Sequence, residues 1–142
     1  MRLLTLSLFC ATLLRADLAQ VMAEPNLERR SKAALDYAEQ VLKGARESYQ
    51  AGDGDAVKAK LDEMGRAVDL ADASLRETGK NPSRSPRYFK HAEIKTRDLL
   101  KRLDALAHVM DFSDRALVVP LKEKIHQFNE RLLEGIMGRK RK

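Results

Sequence analysis

The sequence of 142 residues has few of the side chains on which metal, haem and nucleic-acid sites are commonly built. It contains one cysteine, Cys10, no tryptophan, and only three tyrosines and four phenylalanines. It therefore has no Cys-x-x-Cys-His segment of the kind that attaches haem covalently. The low aromatic content also argues against a surface that stacks nucleic-acid bases.

Motifs of the common catalytic and phosphate-binding sites are also absent. The sequence has no Gly-x-Ser-x-Gly nucleophile elbow and no phosphate-binding glycine loop, and Gly52 and Gly54 belong to a turn. Paired carboxylates such as Asp69 and Asp72 lie on predicted helix surfaces, where solvation and weak pairing with lysines are the ordinary situation. We therefore expect a non-enzymatic protein without a bound cofactor.

The N-terminal segment has the pattern of a cleavable export signal. Arg2 precedes an apolar run from Leu3 to Leu14. Because a helix needs roughly 20 apolar residues to span a bilayer, this run is too short, and we expect no transmembrane segment in the mature chain. Val21 and Ala23 fit the small-residue positions before a cleavage site. They predict a signal peptide of residues 1–23 and a periplasmic or secreted protein.

Cys10 raises the alternative of a lipoprotein signal, but Phe9 precedes it where lipidation requires a small residue. Cleavage after Ala23 would remove this cysteine. The mature chain would then form no disulfide, thiolate metal site or cysteine nucleophile, even in an oxidising compartment. Its stability would come from packing alone.

Residues 24–138 contain four stretches in which apolar or small residues recur in steps of three and four, the spacing of one helix face. The four sets are Ser31, Ala34, Ala38, Val41, Ala45 and Tyr49; Val57, Leu61, Met64, Val68, Ala71 and Leu75; Phe89, Ala92, Thr96, Leu99, Leu103, Leu106 and Met110; and Val118, Leu121, Ile125, Phe128, Leu132 and Ile136. No stretch of strand length alternates with period two. Similar helix lengths and short connections predict an all-α, antiparallel up-down-up-down four-helix bundle.

Turn residues predict where the second and third helices begin and end. Asp55 is the predicted N-cap of the second helix, and Gly79 the glycine that closes it. Ser85 is the predicted N-cap of the third helix, with Pro86 at its first position.

Pro120 leaves two possibilities for the fourth helix, which Gly138 is expected to close. If Ser113 is the N-cap, the proline lies inside the helix and kinks it. Otherwise the long helix begins near Val119 after a separate turn.

The net charge of +6 is concentrated in two short segments. Residues 76–102 contain nine basic and three acidic residues, and residues 139–142, a predicted disordered tail, are all basic. In an antiparallel bundle the start of the third helix and the end of the fourth lie at the same end. The predicted binding surface there, which we name the basic pole, consists of Arg84, Arg87, Lys90, Lys95, Arg139, Lys140, Arg141 and Lys142.

Carboxylates collect at the opposite end of the predicted bundle, which we name the acidic pole: Glu47, Asp53, Asp55, Asp111 and Asp114. A field of this kind would steer an anionic partner, such as lipid headgroups, an envelope polymer or an acidic protein, toward the basic pole. Export argues against nucleic acid as the partner. The alternative is that these cations only keep the protein soluble. The sequence leaves the oligomeric state open.

The histidines His91, His108 and His126 lie off the apolar faces, so we expect them at the surface or flank of the bundle. Glu123 and His126 have the Glu-x-x-His spacing of di-iron bundle proteins. Such sites need a second copy of that spacing, which is absent, and apolar neighbours take the inward positions here. We therefore predict no metal site.

The hairpin AGDGDAVKAKLDEMGRAVDLADASL, residues 51–75, resembles in spacing and composition the small exported b-type cytochrome bundles. That resemblance implies haem held by a methionine on the first helix and a histidine on the fourth. His126 could take the place of the histidine, but residues 27–49 contain no methionine. The resemblance thus favours the fold without its cofactor. The alternative function is a small-ligand or metal carrier of this type, with His91, His108 or His126 as a ligand.

Overall fold

Four long amphipathic helices contain most of residues 17–138, the part of the chain described by this computed structural model. The helices are the short α1 (Leu18–Met22), then α2 (Leu27–Gln50), α3 (Gly54–Glu77), α4 (Arg87–Val109) and α5 (Val119–Ile136), with a 3₁₀ helix (Asp114–Leu117) before α5. Residues 17–138 contain no strand. The predicted all-α four-helix bundle is confirmed.

The long helices alternate in direction along the chain, and each packs against two others. α2 packs against α3 and α4, and α5 packs against the same two helices. The consecutive helices α3 and α4 therefore stand on a diagonal of the bundle. Their connection, residues 78–86, has to cross the end of the bundle, and this crossing shapes the candidate site.

The interior consists of the apolar faces that the sequence predicts. Every position in the four predicted sets is buried except Tyr49 and Ile136, which pack partly buried against the core. Central leucines such as Leu99 and Leu103 are 0% exposed. Removal of these side chains from water is the main force that holds the helices together.

One polar side chain joins α4 to α5 inside this core. Asn129 Nδ2 donates hydrogen bonds to Glu93 O at 3.0 Å and to Thr96 Oγ1 at 2.9 Å. A buried amide left without partners would destabilise the fold, so these bonds favour one register of α5 against α4. In that register Asn129 lies opposite Thr96.

The start of α3 differs from its prediction. Asp53 is the N-cap, and its Oδ1 accepts a hydrogen bond from Ala56 N at 3.1 Å. The prediction of Asp55 as the cap was wrong, because the helix begins at Gly54 and Asp55 already lies in its first turn.

The start of α4 also differs. Pro86 takes the cap position, the helix begins at Arg87, and no side chain caps it. The prediction of Ser85 as the N-cap, with Pro86 inside the helix, was wrong. Ser85 belongs instead to a turn that precedes the helix, where Ser85 N donates a hydrogen bond to Asn81 O at 2.9 Å.

Other predicted boundaries are confirmed. Gly79 and Gly138 have φ values of +63° and +67°, the left-handed conformation in which glycine closes a helix. The long helix α5 begins at Val119 after the separate 3₁₀ helix, so Pro120 lies in its first turn and the second of the two possibilities holds. A proline there displaces no intrahelical hydrogen bond.

The predicted signal peptide falls mostly outside the described residues, because its residues 1–16 are not described. Its last part forms α1, which Asp17 caps and which packs against α2, with Val21 only 6% exposed. Cleavage after Ala23 stays a prediction, and it would remove this buried valine. Within residues 17–138, no helix has both the length and the apolar character needed to span a membrane.

Candidate functional site

The α3–α4 connection crosses the end of the bundle and rests on the end of α5. A Cβ atom placed on Gly135 would lie 2.9 Å from Cγ and 3.2 Å from Cβ of Pro82. A Cβ atom on Gly138 would lie 3.9 Å from Cβ of Ser83. Glycine at position 135 therefore allows the connection to approach α5 closely, beside the point from which residues 139–142 continue.

The other side of the connection is held to α2. Lys80 Nζ lies 2.7 Å from Glu28 Oε1 in the first turn of α2. Between these two contacts, Asn81 Oδ1 accepts hydrogen bonds from Ser83 N at 2.9 Å and from Ser83 Oγ at 2.7 Å. The connection thus has a defined conformation, although its residues are mostly exposed.

Three cations follow this turn into the start of α4: Arg84, Arg87 and Lys90. All three are exposed, and none forms an ion pair within residues 17–138. The guanidinium carbon of Arg87 lies 5.4 Å from the centre of the Tyr88 ring, within the range of a cation–π contact. The first turn of α4 contains no acidic residue. We name these three residues the exposed basic cluster.

Many other cations of the described chain are paired with carboxylates. The paired lysines and arginines are Lys32, Arg76, Lys80, Lys95, Arg97, Arg102, Lys122, Lys124 and Arg131. Unpaired cations also occur elsewhere; Arg46 and Lys58, for example, lie near the α2–α3 turn at the opposite end. The exposed basic cluster is distinguished by its position beside the α5 terminus.

Lys95, a predicted member of the basic pole, has a different environment. Its Nζ atom lies 3.2 Å from Asp36 Oδ1 and 2.5 Å from Glu39 Oε2, both on α2. The hydrogen bond to Glu39 is the largest of the effects that raise the pKa of Lys95. Its side chain is 25% exposed, so its charge is partly buried and balanced by two carboxylates. The last four members, Arg139, Lys140, Arg141 and Lys142, lie outside the described residues.

The carboxylates of the acidic pole lie around the α2–α3 turn and the α4–α5 connection. Two have structural contacts: Asp53 caps α3, and Asp114 Oδ2 accepts a hydrogen bond from Tyr49 Oη at 3.4 Å. Tyr49 Oη also accepts a hydrogen bond from Asp111 N at 2.8 Å. This tyrosine therefore joins the end of α2 to the α4–α5 connection.

The three histidines have different environments. His91 is half-buried, and its Nε2 atom is buried with no hydrogen-bond partner. Its pKa is lowered, first by burial and then by Lys32 and Lys95, while Asp36 opposes them. 

The other two histidines lie at the surface. His108 is exposed, and His126 Nε2 lies 3.6 Å from Glu130 Oε1 with its side chain 57% exposed. The imidazole of His126 is therefore outside the bundle interior. Within residues 17–138, no three side chains of the usual metal-ligand types come together to hold a metal ion.

A cleft of about 530 Å³ lies between α1, α2 and α3, and nothing in the sequence predicts it. Across it, the Tyr37 hydroxyl donates a hydrogen bond to the Glu63 carboxylate. Burial, and then Glu63, raise the pKa of Tyr37 to about 12, so the phenol stays protonated at neutral pH and is not a ready base. Helical spacing from Ala34 and Val41 could have placed Tyr37 in the core, but nothing in the sequence indicates its pairing with Glu63.

Comparison of this chain with protein-family models, with curated proteins and with solved structures finds no match.

Proposed function

We propose that this chain is an exported, non-enzymatic bundle protein that binds an anionic partner of the cell envelope through its basic pole. The observation that carries the proposal is the exposed basic cluster, Arg84, Arg87 and Lys90, held beside the end of α5 without a carboxylate to balance it. A partner can be a lipid surface, an envelope polymer or an acidic protein. Lys95 contributes little, because Asp36 and Glu39 already balance its charge.

The position of the cluster on α4 supports this proposal. Cations near a helix N-terminus are disfavoured by about 0.3–1 kcal/mol, because the helix dipole is positive there. α4 has neither a capping side chain nor an acid in its first turn to offset that dipole. A bound anion would stabilise both the cations and the unpaired amide groups of the first turn.

The test compares charge reversals at the two ends of the bundle. The variant R84E/R87E lowers the net charge by four, and so does the control R46E/K58E at the opposite end. Each cation near an anionic surface contributes about 1 kcal/mol, so loss of two alone predicts about a thirtyfold weaker association, and the two added carboxylates make this factor a lower bound. We expect R84E/R87E to weaken binding to an immobilised sulfated polysaccharide by at least that factor, and the control to change it far less.

Salt and tail truncation give two further measurements. Binding of the unmodified protein should fall steeply as salt rises from about 0.05 to 0.3 M, because screening shortens the range of the field. Deletion of residues 139–142 should weaken binding to the polysaccharide, as the variant R84E/R87E does. Equal losses for R84E/R87E and R46E/K58E would mean that only net charge matters, and the cations would then serve solubility alone.

The alternative function, carriage of a small ligand or metal inside the bundle, has less support. His126 faces outward beside Glu130, and the central positions are filled by apolar side chains such as Leu103 and Phe128. An absorbance spectrum and metal analysis of protein purified from its own host test this alternative directly.

A further inference from the structure

Two exposed apolar side chains lie at the C-terminal end of α5, one in its last turn and one directly after it. Leu133 is 37% exposed and Met137, which directly follows the helix, is 54% exposed. Residues four apart in a helix lie on one face, so these two side chains are neighbours on the outside of the bundle. The inward face of α5 is occupied by Phe128 and Leu132, which are 2% and 4% exposed.

The register of α5 against α4 places this apolar pair level with the cations. Asn129 lies opposite Thr96, with 2.9 Å between Asn129 Nδ2 and Thr96 Oγ1. The two helices are antiparallel, so each step toward the end of α5 matches a step toward the start of α4. Met137 is therefore level with Tyr88, within the span of the exposed basic cluster.

Two carboxylates, Glu130 and Glu134, lie on the same part of α5. Glu130 lies 3.6 Å from His126 Nε2, one turn back toward the middle of the bundle. Glu134 has an interaction of its own, so it is not a free carboxylate. The first turn of α4 contains no acid at all.

Exposed apolar side chains among unpaired cations match the surface of an anionic bilayer. The cations attract the headgroups, and the apolar side chains enter the boundary between headgroups and acyl chains. A sulfated polymer would satisfy the cations but offers no apolar phase for Leu133 and Met137. We propose that this end of the bundle docks on an anionic lipid bilayer, with Leu133 and Met137 inserted at the boundary. This inference rests on the proposed function.

The experiment uses protein purified from its own host, so that every variant has the same N-terminus. Binding is measured by co-sedimentation with vesicles in which about one third of the lipid is phosphatidylglycerol and the rest phosphatidylcholine. Vesicles of phosphatidylcholine alone measure any contribution of the N-terminal apolar run. Retention on a sulfated polysaccharide is measured in parallel.

The decisive variant is L133Q/M137Q, which keeps the charge and replaces apolar side chains by good helix formers. We expect binding to anionic vesicles to fall by about tenfold, and retention on the polysaccharide to stay unchanged. The matched control is F112Q/V119Q, which removes two exposed apolar side chains at the opposite end, where Phe112 is 89% exposed. This control should change neither measurement. Circular dichroism checks that both variants fold.

The outcomes separate this inference from the proposed function. If L133Q/M137Q binds anionic vesicles as well as the unmodified protein does, while R84E/R87E weakens binding to both supports, the bilayer inference is wrong and the proposed function stands. The partner would then be a polymer or an acidic protein. If R84E/R87E changes neither measurement, the proposed function fails and the bilayer inference fails with it.

Discussion

Replacement of Gly135 by alanine tests how closely the α3–α4 connection packs on α5. Inside a helix this exchange ordinarily stabilises a protein by about 0.5–1 kcal/mol, because alanine has the higher helix propensity. At Gly135, however, the new methyl group would lie 2.9 Å from Pro82 Cγ. Overpacking typically costs about 1–3 kcal/mol. Since the second effect is the larger, we expect the free energy of unfolding to fall by about 1 kcal/mol.

Gly65 provides the matched control for this prediction. It is buried in the middle of α3, and a Cβ atom there would lie 3.8 Å from Leu121 Cδ1, an ordinary van der Waals contact. Gly65→Ala should therefore show the propensity gain of about 0.5–1 kcal/mol without a clash. Urea unfolding followed by circular dichroism measures both variants, and their difference isolates the contact with Pro82.

A double-mutant cycle identifies the partner of the added methyl group. Pro82→Ala removes most of the ring that the methyl group would meet, so it should recover most of the stability that Gly135→Ala loses. The predicted clash with Pro82 is refuted if Gly135→Ala stabilises the protein as much as Gly65→Ala does. It is also refuted if the Gly135 and Pro82 substitutions add without coupling.

Two further predictions concern the core and pH. Leu103→Ala should cost about 2–5 kcal/mol of unfolding free energy in urea titrations, because the side chain is 0% exposed. His108→Ala, at the surface, should cost under about 0.5 kcal/mol. Equal losses would mean that the buried face of α4 is assigned wrongly. The pKa of His91 is lowered from 6.5, first by burial, so the unfolded chain binds a proton more readily than the folded protein does. The free energy of unfolding should therefore fall as pH drops through 6.5. His91→Gln should reduce this pH dependence in unfolding curves measured at pH 7.5 and 5.5. If the dependence is unchanged, His91 is not its cause.

The positions of the helices and their buried faces could be predicted because both depend on local order in the sequence. Leu103 and its apolar neighbours are spaced by three or four residues, so they form one apolar face of the helix. Gly79 was predictable for a similar reason, because the left-handed conformation that closes a helix favours glycine strongly. Helix starts were less certain, since Asp53 and Asp55 are both good caps and stand only two residues apart.

The order of the helices around the bundle could not be predicted from the same information. Helical periodicity shows which face of α3 or α4 is apolar, but it does not show which helix covers that face. The diagonal placement of α3 and α4 determines that Pro82 meets Gly135. The pairing of Asn129 with Thr96 likewise depends on which helices become neighbours. These contacts shape the candidate site, so its geometry could not be predicted from the sequence alone.

The different environments of Lys90 and Lys95 show that the packing of α4 against α2 removes one predicted cation from the binding surface. The two lysines are five residues apart on α4, which separates them by about 140° around the helix axis. Lys95 therefore faces α2, where Asp36 and Glu39 balance its charge, while Lys90 remains exposed and unpaired. Of these two lysines, only Lys90, near the end of the bundle, leaves its charge available to a partner. A partner that approaches end-on would meet Lys90 and the end of α5 together, as the proposed binding of a broad anionic surface requires.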